Sequence, residues 1–201
     1  MEREGLSALV LCQPESIAYA AGAFAGVASF WRRAGAAFLI VPADPQAPLT
    51  AIVGDLQAKA FASASGITDV RSHRIWVETD RFPFDDTKPK RTPRPAQYSL
   101  ADSLALLRDA LAEKHISGRV GLELGFVPVA DFEAFRALPL TWADATRLVE
   151  RLRAIKQPAE IERLGRAARH AAHGLSRLLE EIRPGMTSAE MTRIWQEAAT
   201  A

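Results

Sequence analysis

Two rhythms of apolar and polar residues run along the chain. Residues 7–12 (Ser-Ala-Leu-Val-Leu-Cys) form a short apolar run stopped by Gln13 and Pro14, which predicts a buried strand. Similar runs at 35–41 and 49–53 predict two more strands. The turn residues Pro42, Asp44, Pro45 and Pro48 leave so short a connection that these two should pair as an antiparallel hairpin. Residues 69–77 and 119–124 supply a fourth and a fifth strand candidate. Helical signals lie between them. Residues 16–23 predict a short helix closed by Gly22 and Gly26, and 55–65 an Ala-rich helix ending at Gly66. In 99–114 the positions Leu100, Leu104, Leu107 and Leu111 follow helical spacing, and 129–138 reads as another short helix. Strands interleaved with helices predict an α/β domain.

From Asp144 onward only helical signals are found. Ile161, Leu164, Ala168, Ala171, Leu175, Leu178 and Ile182 recur at steps of three and four, which gives one apolar stripe on a long helix. Pro158 suits its first position, and Glu160 favours the positive end of the helix dipole. Arg183-Pro184-Gly185 stops it, and Thr187 with Glu190 forms a capping box for one more helix. That last helix carries Met191, Ile194 and Trp195 on one side and reaches residue 201 without a stop signal. Its apolar side calls for a surface to cover it, so the chain is expected to be the front part of a longer protein.

Composition narrows the class. Hydrophobic residues make up 48% and charged residues 24% of 201, the balance of a soluble globular protein. A formal net charge of +1 gives no electrostatic basis for nucleic-acid or membrane binding. Cys12 is the single cysteine, so no internal disulfide can form and a reducing, cytoplasmic setting is expected. The start, Met1-Glu-Arg-Glu-Gly-Leu, has no apolar run of the secretory kind. Residues 85–95, with three prolines and four cations, read as an exposed loop, since no aromatic residue is interleaved for base stacking.

Three segments together resemble the prolidase, aminopeptidase P and creatinase family, the pita-bread metallohydrolases. Residues 5–22 (Gly-Leu-Ser-Ala-Leu-Val-Leu-Cys-Gln-Pro-Glu-Ser-Ile-Ala-Tyr-Ala-Ala-Gly) are similar to the family's opening strand and turn. Residues 152–164 (Leu-Arg-Ala-Ile-Lys-Gln-Pro-Ala-Glu-Ile-Glu-Arg-Leu) are similar to its interdomain junction. Residues 182–191 (Ile-Arg-Pro-Gly-Met-Thr-Ser-Ala-Glu-Met) are similar to the link between the first two helices of its catalytic domain. The resemblance implies a mixed-sheet, ribonuclease-H-like N-terminal domain of the creatinase/prolidase type over 1–143, a linker helix over 144–157, and the first helices of an incomplete pita-bread domain over 158–201. It also implies a homodimer, a small peptide or amide substrate, and two divalent metals (Mn, Co or Zn) in the full-length parent. The family's metal ligands are two Asp, one His and two Glu, and no residue of this chain matches them, so no catalytic and no metal residue is assigned. Arg166 stands where creatinases place a catalytic His, which argues against creatine hydrolysis. Gln157 replaces the usual Ser or Thr before Pro158 and is a poorer cap.

Candidate sites are few. In homodimeric relatives a loop near Trp31, Arg32 and Arg33 reaches the partner's active site. An Arg there could hold a substrate carboxylate in a bidentate pair, and Trp31 could wall the pocket. The plainer reading is an exposed basic turn. His170 and His173 have a spacing that could hold a metal, but both fall on the polar face, and solvated side chains explain them as well. His173 could also approach the substrate pocket of the parent. Gly22, Gly26 and Gly35 match no phosphate-binding spacing. Cys12 lies in an apolar strand, where a thiolate is disfavoured. The favoured reading is therefore the non-catalytic front part of an Xaa-Pro dipeptidase- or aminopeptidase-like hydrolase, serving dimerisation and pocket shaping. A stand-alone interaction module and a fragment of a creatinase-like C–N hydrolase or a lyase are the rivals.

Overall fold

The computed structural model describes residues 1–26, 30, 32–75 and 99–200. The predicted loop at 85–95 and Trp31 lie outside them. Contacts within the chain divide it into two units, Met1–Glu150 and Arg151–Ala201.

The first unit is built on a six-stranded sheet. Its strands are β1 (Ala8–Leu11), β2 (Phe38–Pro42), β3 (Thr50–Gly54), β4 (Asp69–His73), β5 (Arg119–Leu122) and β6 (Thr141–Asp144). Their spatial order is β4-β3-β2-β1-β5-β6. β2 pairs antiparallel with β1 and with β3, as the short turn at 42–49 requires, while β3–β4, β1–β5 and β5–β6 are parallel. The sheet is therefore mixed. β6 is a correction to the sequence reading, which placed only helices from Asp144 and a change of character near Trp142. Four residues with exposed Thr141 and Asp144 at the ends show neither alternation nor a long apolar run, so the strand is defined by its pairing with β5. β4 ends at His73 and Ile75 follows as coil, its N–H donating to Asp55 Oδ1, while residues 76 and 77 of the expected strand lie outside the described residues.

The central strands are apolar on both faces because both are covered. Ala8, Val10, Phe38, Ile40, Ile52, Val120 and Leu122 form one face, packed with α3 (Leu100–Glu113) and α4 (Val129–Arg136). Leu9, Leu11, Leu39, Ala51 and Val53 form the other, packed with α1 (Pro14–Ala21), α2 (Asp55–Ser65) and α5 (Thr146–Ala154). Successive side chains of one strand thus enter different cores, the period of two expected of a strand. Phe135 of α4 meets Phe38 and Trp142 edge to face, each with ring centres 5.8 Å apart. Gly121 of β5 has no room for a side chain, since a Cβ there would fall 2.6 Å from Leu9 Cδ2 and 2.9 Å from Ala145 Cβ.

The second unit is a helix pair, α6 (Pro158–Glu181) and α7 (Ser188–Thr200). α6 opens with a capping box in which the Glu160 carboxylate accepts the Gln157 N–H at 2.8 Å. Thr187 and Glu190 cap α7 reciprocally, as expected. The pair meets at Gly174, where a Cβ would come within 2.8 Å of the Trp195 carbonyl, and Trp195 Nε1 donates to Ala171 O at 3.3 Å.

Candidate functional site

Side chains from several loops meet at the C-terminal ends of the parallel strands β1 and β5. In open α/β sheets that end is where connecting loops diverge and side chains from several loops can meet. The turn from β1 into α1 is capped from far along the chain. Gln13, the N-cap of α1, makes no side-chain cap bond. Glu123, one residue beyond β5, supplies the acceptors instead. Its Oε2 accepts the N–H groups of Cys12 and Gln13, both at 2.9 Å, and its Oε1 accepts the Ser16 hydroxyl at 2.6 Å. Glu123 is only 2% exposed, and a buried carboxylate is tolerable when its lone pairs are satisfied this way. The same charge, after burial itself, pushes the Cys12 thiol well above its ordinary 9.0. Cys12 is therefore a packed, protonated thiol.

Above this turn sits Arg32. Its backbone is left-handed, with φ 45°, a conformation that few residues other than glycine adopt. The guanidinium pairs with Glu15 of α1 through Nη1 and lies over the Phe126 ring, 5.6 Å from its centre. Desolvation pushes the Glu15 carboxyl up, but the Arg32 hydrogen bond, Glu15's own N–H, the Gln13 side chain and the Arg32 charge together hold it below its ordinary 4.5. About half of the Arg32 side chain remains exposed although Glu15 and Phe126 hold it. Nearby, the exposed Phe24 and Phe30 rings meet edge to face at 6.5 Å.

The other predicted positions scatter. Arg33 is exposed, and its carbonyl accepts the Ala36 N–H at 3.1 Å in the turn leading to β2. His170 and His173 are both exposed on α6. Among the described residues no three His, Cys, Asp or Glu side chains come together in a way that could hold a metal. Glu123 and Phe126 were missed by sequence reasoning. The signal available was a lone Glu at the end of an apolar strand, Val120-Gly-Leu-Glu-Leu124, which pattern alone cannot tell from a solvent-facing strand end.

A second charged cluster lies at the sheet edge. Asp69 accepts the Thr50 hydroxyl at 2.6 Å and pairs with Arg71, which also clasps Glu113 of α3 at 2.6 Å. Burial pushes Asp69 up, but the Thr50 bond, Arg71 and Lys114 hold it below its ordinary 3.8. This cluster fastens the edge strand β4 to α3.

Comparison with known proteins gives a consistent picture. A family model described as the creatinase/prolidase N-terminal domain matches residues 1–155. No curated protein sequence gives a significant match. Among solved structures, the X-Pro aminopeptidase from Thermotoga maritima superposes with a TM-score of 0.69 at 15% identity, covering 99% of this chain and 46% of that one. The prolidase from Pyrococcus furiosus gives 0.60 at 17% identity, covering 100% of this chain and 47% of that one. The N-terminal domain of the cytoplasmic peptidase PepQ from Mycobacterium tuberculosis gives 0.50 at 18% identity, covering 75% and 92%. The chain thus spans about half the length of the two longer enzymes, and at these identities the likeness is one of fold.

Proposed function

Because the chain belongs to the creatinase/prolidase N-terminal domain family, we propose that it is the non-catalytic N-terminal part of an Xaa-Pro dipeptidase- or aminopeptidase-like metallohydrolase. In this reading the first unit serves dimerisation and shapes the substrate pocket. Residues 1–143 form that domain, 144–157 the linker, and 158–201 the opening helices of the catalytic domain. Trp31, Arg32 and Arg33 contact the substrate across the dimer, with Arg32 taking a carboxylate, and His173 approaches the pocket of the whole enzyme.

The observation that carries the reading is Arg32 itself. An exposed arginine normally spreads over many rotamers and loses that freedom on binding. Here Glu15 and Phe126 hold it while about half of the side chain stays exposed. That suits a group which must meet a small anionic ligand with little further ordering. The two divalent metals of the parent reaction do not fit the residues described, which offer no donor set, so no chemistry is assigned to them in this chain.

A second reading, a module that works by binding another protein, is favoured by the exposed apolar residues of α6, among them Ile161, Leu164 and Leu179. Calorimetric titration with Mn²⁺, Co²⁺ and Zn²⁺, together with an Xaa-Pro dipeptide hydrolysis assay, tests the first reading. No turnover and no binding tighter than millimolar is the expected result, and micromolar metal binding with turnover would sink it. Sedimentation should show a dimer, and a monomer at high concentration would remove the proposed contact in trans.

A further inference from the structure

We propose that the Glu123 carboxylate is the positioning group for the Arg32 clamp, acting through the α1 turn that carries Glu15, the anionic partner of the guanidinium. No Glu123–Arg32 bond is formed, yet the turn that carries the anionic partner of Arg32 depends on the Glu123 carboxylate. Through its carboxylate it fixes the first turn of α1 by three bonds, to Cys12 N–H, Gln13 N–H and the Ser16 hydroxyl. Glu15, the anionic partner of Arg32, lies inside that turn. Through its backbone carbonyl Glu123 accepts the Phe126 N–H at 2.9 Å, which closes the turn presenting the ring beneath the guanidinium. The side chain at 123 therefore fixes the turn that carries the ion-pair partner, while the Phe126 turn needs only the main chain there and stays in place in Glu123→Ala.

The bonding pattern explains why a carboxylate serves here. Gln13 leaves its capping role unfilled, and the exposed N–H groups at the start of a helix attract negative charge. A carboxylate arriving from the end of β5 meets the N–H groups of Cys12 and Gln13, just ahead of that helix, and the Ser16 hydroxyl in its first turn, and so joins two strands' ends. Arg32 in turn is held in a left-handed backbone that would relax if its side chain were released. The chain of dependence runs from the Glu123 carboxylate to the α1 turn, then to Glu15 and Arg32. The importance of this for ligand binding rests on the proposed role of Arg32 given above, whereas the dependence itself does not.

The test uses proton NMR of the whole chain. A guanidinium stacked on Phe126 shifts the Arg32 δ protons upfield through the ring current, and the Glu15 carboxyl titrates below its ordinary 4.5. In Glu123→Ala the upfield shift should collapse to the random-coil position and Glu15 should titrate near its ordinary value, while the core resonances of Phe38 and Phe135 stay in place. Glu123→Gln keeps an acceptor for Cys12 and Gln13, and Ser16 can turn to accept from the amide, so both signatures should be restored. Ser16→Ala removes one bond of the three and should move the Arg32 shift part of the way; it decides the matter if Glu123→Ala does not fold. Unchanged Arg32 and Glu15 signals in the folded variants would overturn the proposal. Arg32→Ala, assayed for binding of an Xaa-Pro dipeptide in a dimeric parent enzyme, tests the ligand role separately. If that variant binds normally while Glu123→Ala still frees Arg32, the positioning role stands and only the substrate reading fails.

Discussion

The two units bury apolar surface to very different degrees. In Met1–Glu150 nearly every large apolar strand residue disappears into one of two cores, and Phe38, Leu39, Ile40 and Ile52 have no measurable exposure. In Arg151–Ala201 the apolar stripe is as regular in sequence, yet Ile161, Leu164, Leu175 and Ile182 are roughly half exposed, and only Gly174 and Ile194 are buried in the two helices α6 and α7. A sheet is covered on both faces by its own connecting helices, whereas two helices can shield only the seam between them. Periodicity states that a face is apolar. Whether anything covers it depends on how many layers the chain places there.

The sharpest way to break the contrast is Phe135→Ala, which empties a fully buried site between Phe38 and Trp142. A loss of about 3–5 kcal/mol is expected from urea unfolding followed in the near-ultraviolet. Gly121→Ala should cost about 1–3 kcal/mol by the same measurement, because the added methyl meets Leu9 and Ala145 closer than 3 Å.

Two glycines of α6 test the second unit against itself. Alanine is the better helix former, so Gly165→Ala, whose Cβ meets only Arg169 Nη1 at 3.5 Å, should gain about 0.5–1 kcal/mol. Gly174→Ala should lose stability instead, its Cβ colliding with Trp195, and Trp195 fluorescence should shift to the red. Equal effects at both positions would mean that α6 and α7 do not pair as described.

Acid should separate the units next. Asp69 is held below 3.8 in the folded state, so its contribution is present at neutral pH and is lost as pH falls through that depressed value. Glu15 and Asp144 act in the same sense in the first unit, against Glu190 alone among the described residues of the second. Asp69→Asn should flatten the acid limb of the first unit's stability curve, with little change above pH 5 in its slope. The smallest effect belongs to Leu164→Ser, which alters an exposed stripe position and should move stability by less than about 0.5 kcal/mol. A large loss there would show that the stripe is covered in solution, for instance by a second copy.

Much of the fold was legible because its signals are local. α2 runs over the residues that the pattern predicted, ended by Gly66 with φ 71°, and the β2–β3 hairpin follows from its proline-rich turn. Thr187 and Glu190 announced a capping box that forms. β6 was hidden because four residues with exposed ends carry no periodic signal. The candidate site was legible in half. Arg32 stood out as a basic position, but its partners Glu15 and Phe126 did not, and Glu123 gave no sign of its place.

The sequence by itself determined the succession of strands and helices, most of their caps, and the apolar faces that they present. Those properties are set within a few residues by sterics and by spacing along one element. The tertiary structure alone decided that Glu123 would bond the Gln13 N–H 110 residues earlier, that Arg32 would rest between Glu15 and Phe126, and that β6 would add a third parallel pairing to the sheet. Such contacts depend on which strand ends come to lie side by side, and the parallel pairing of β1 with β5 joins segments far apart in the chain. No local pattern encodes that neighbourhood; it is settled when the two cores close over the sheet.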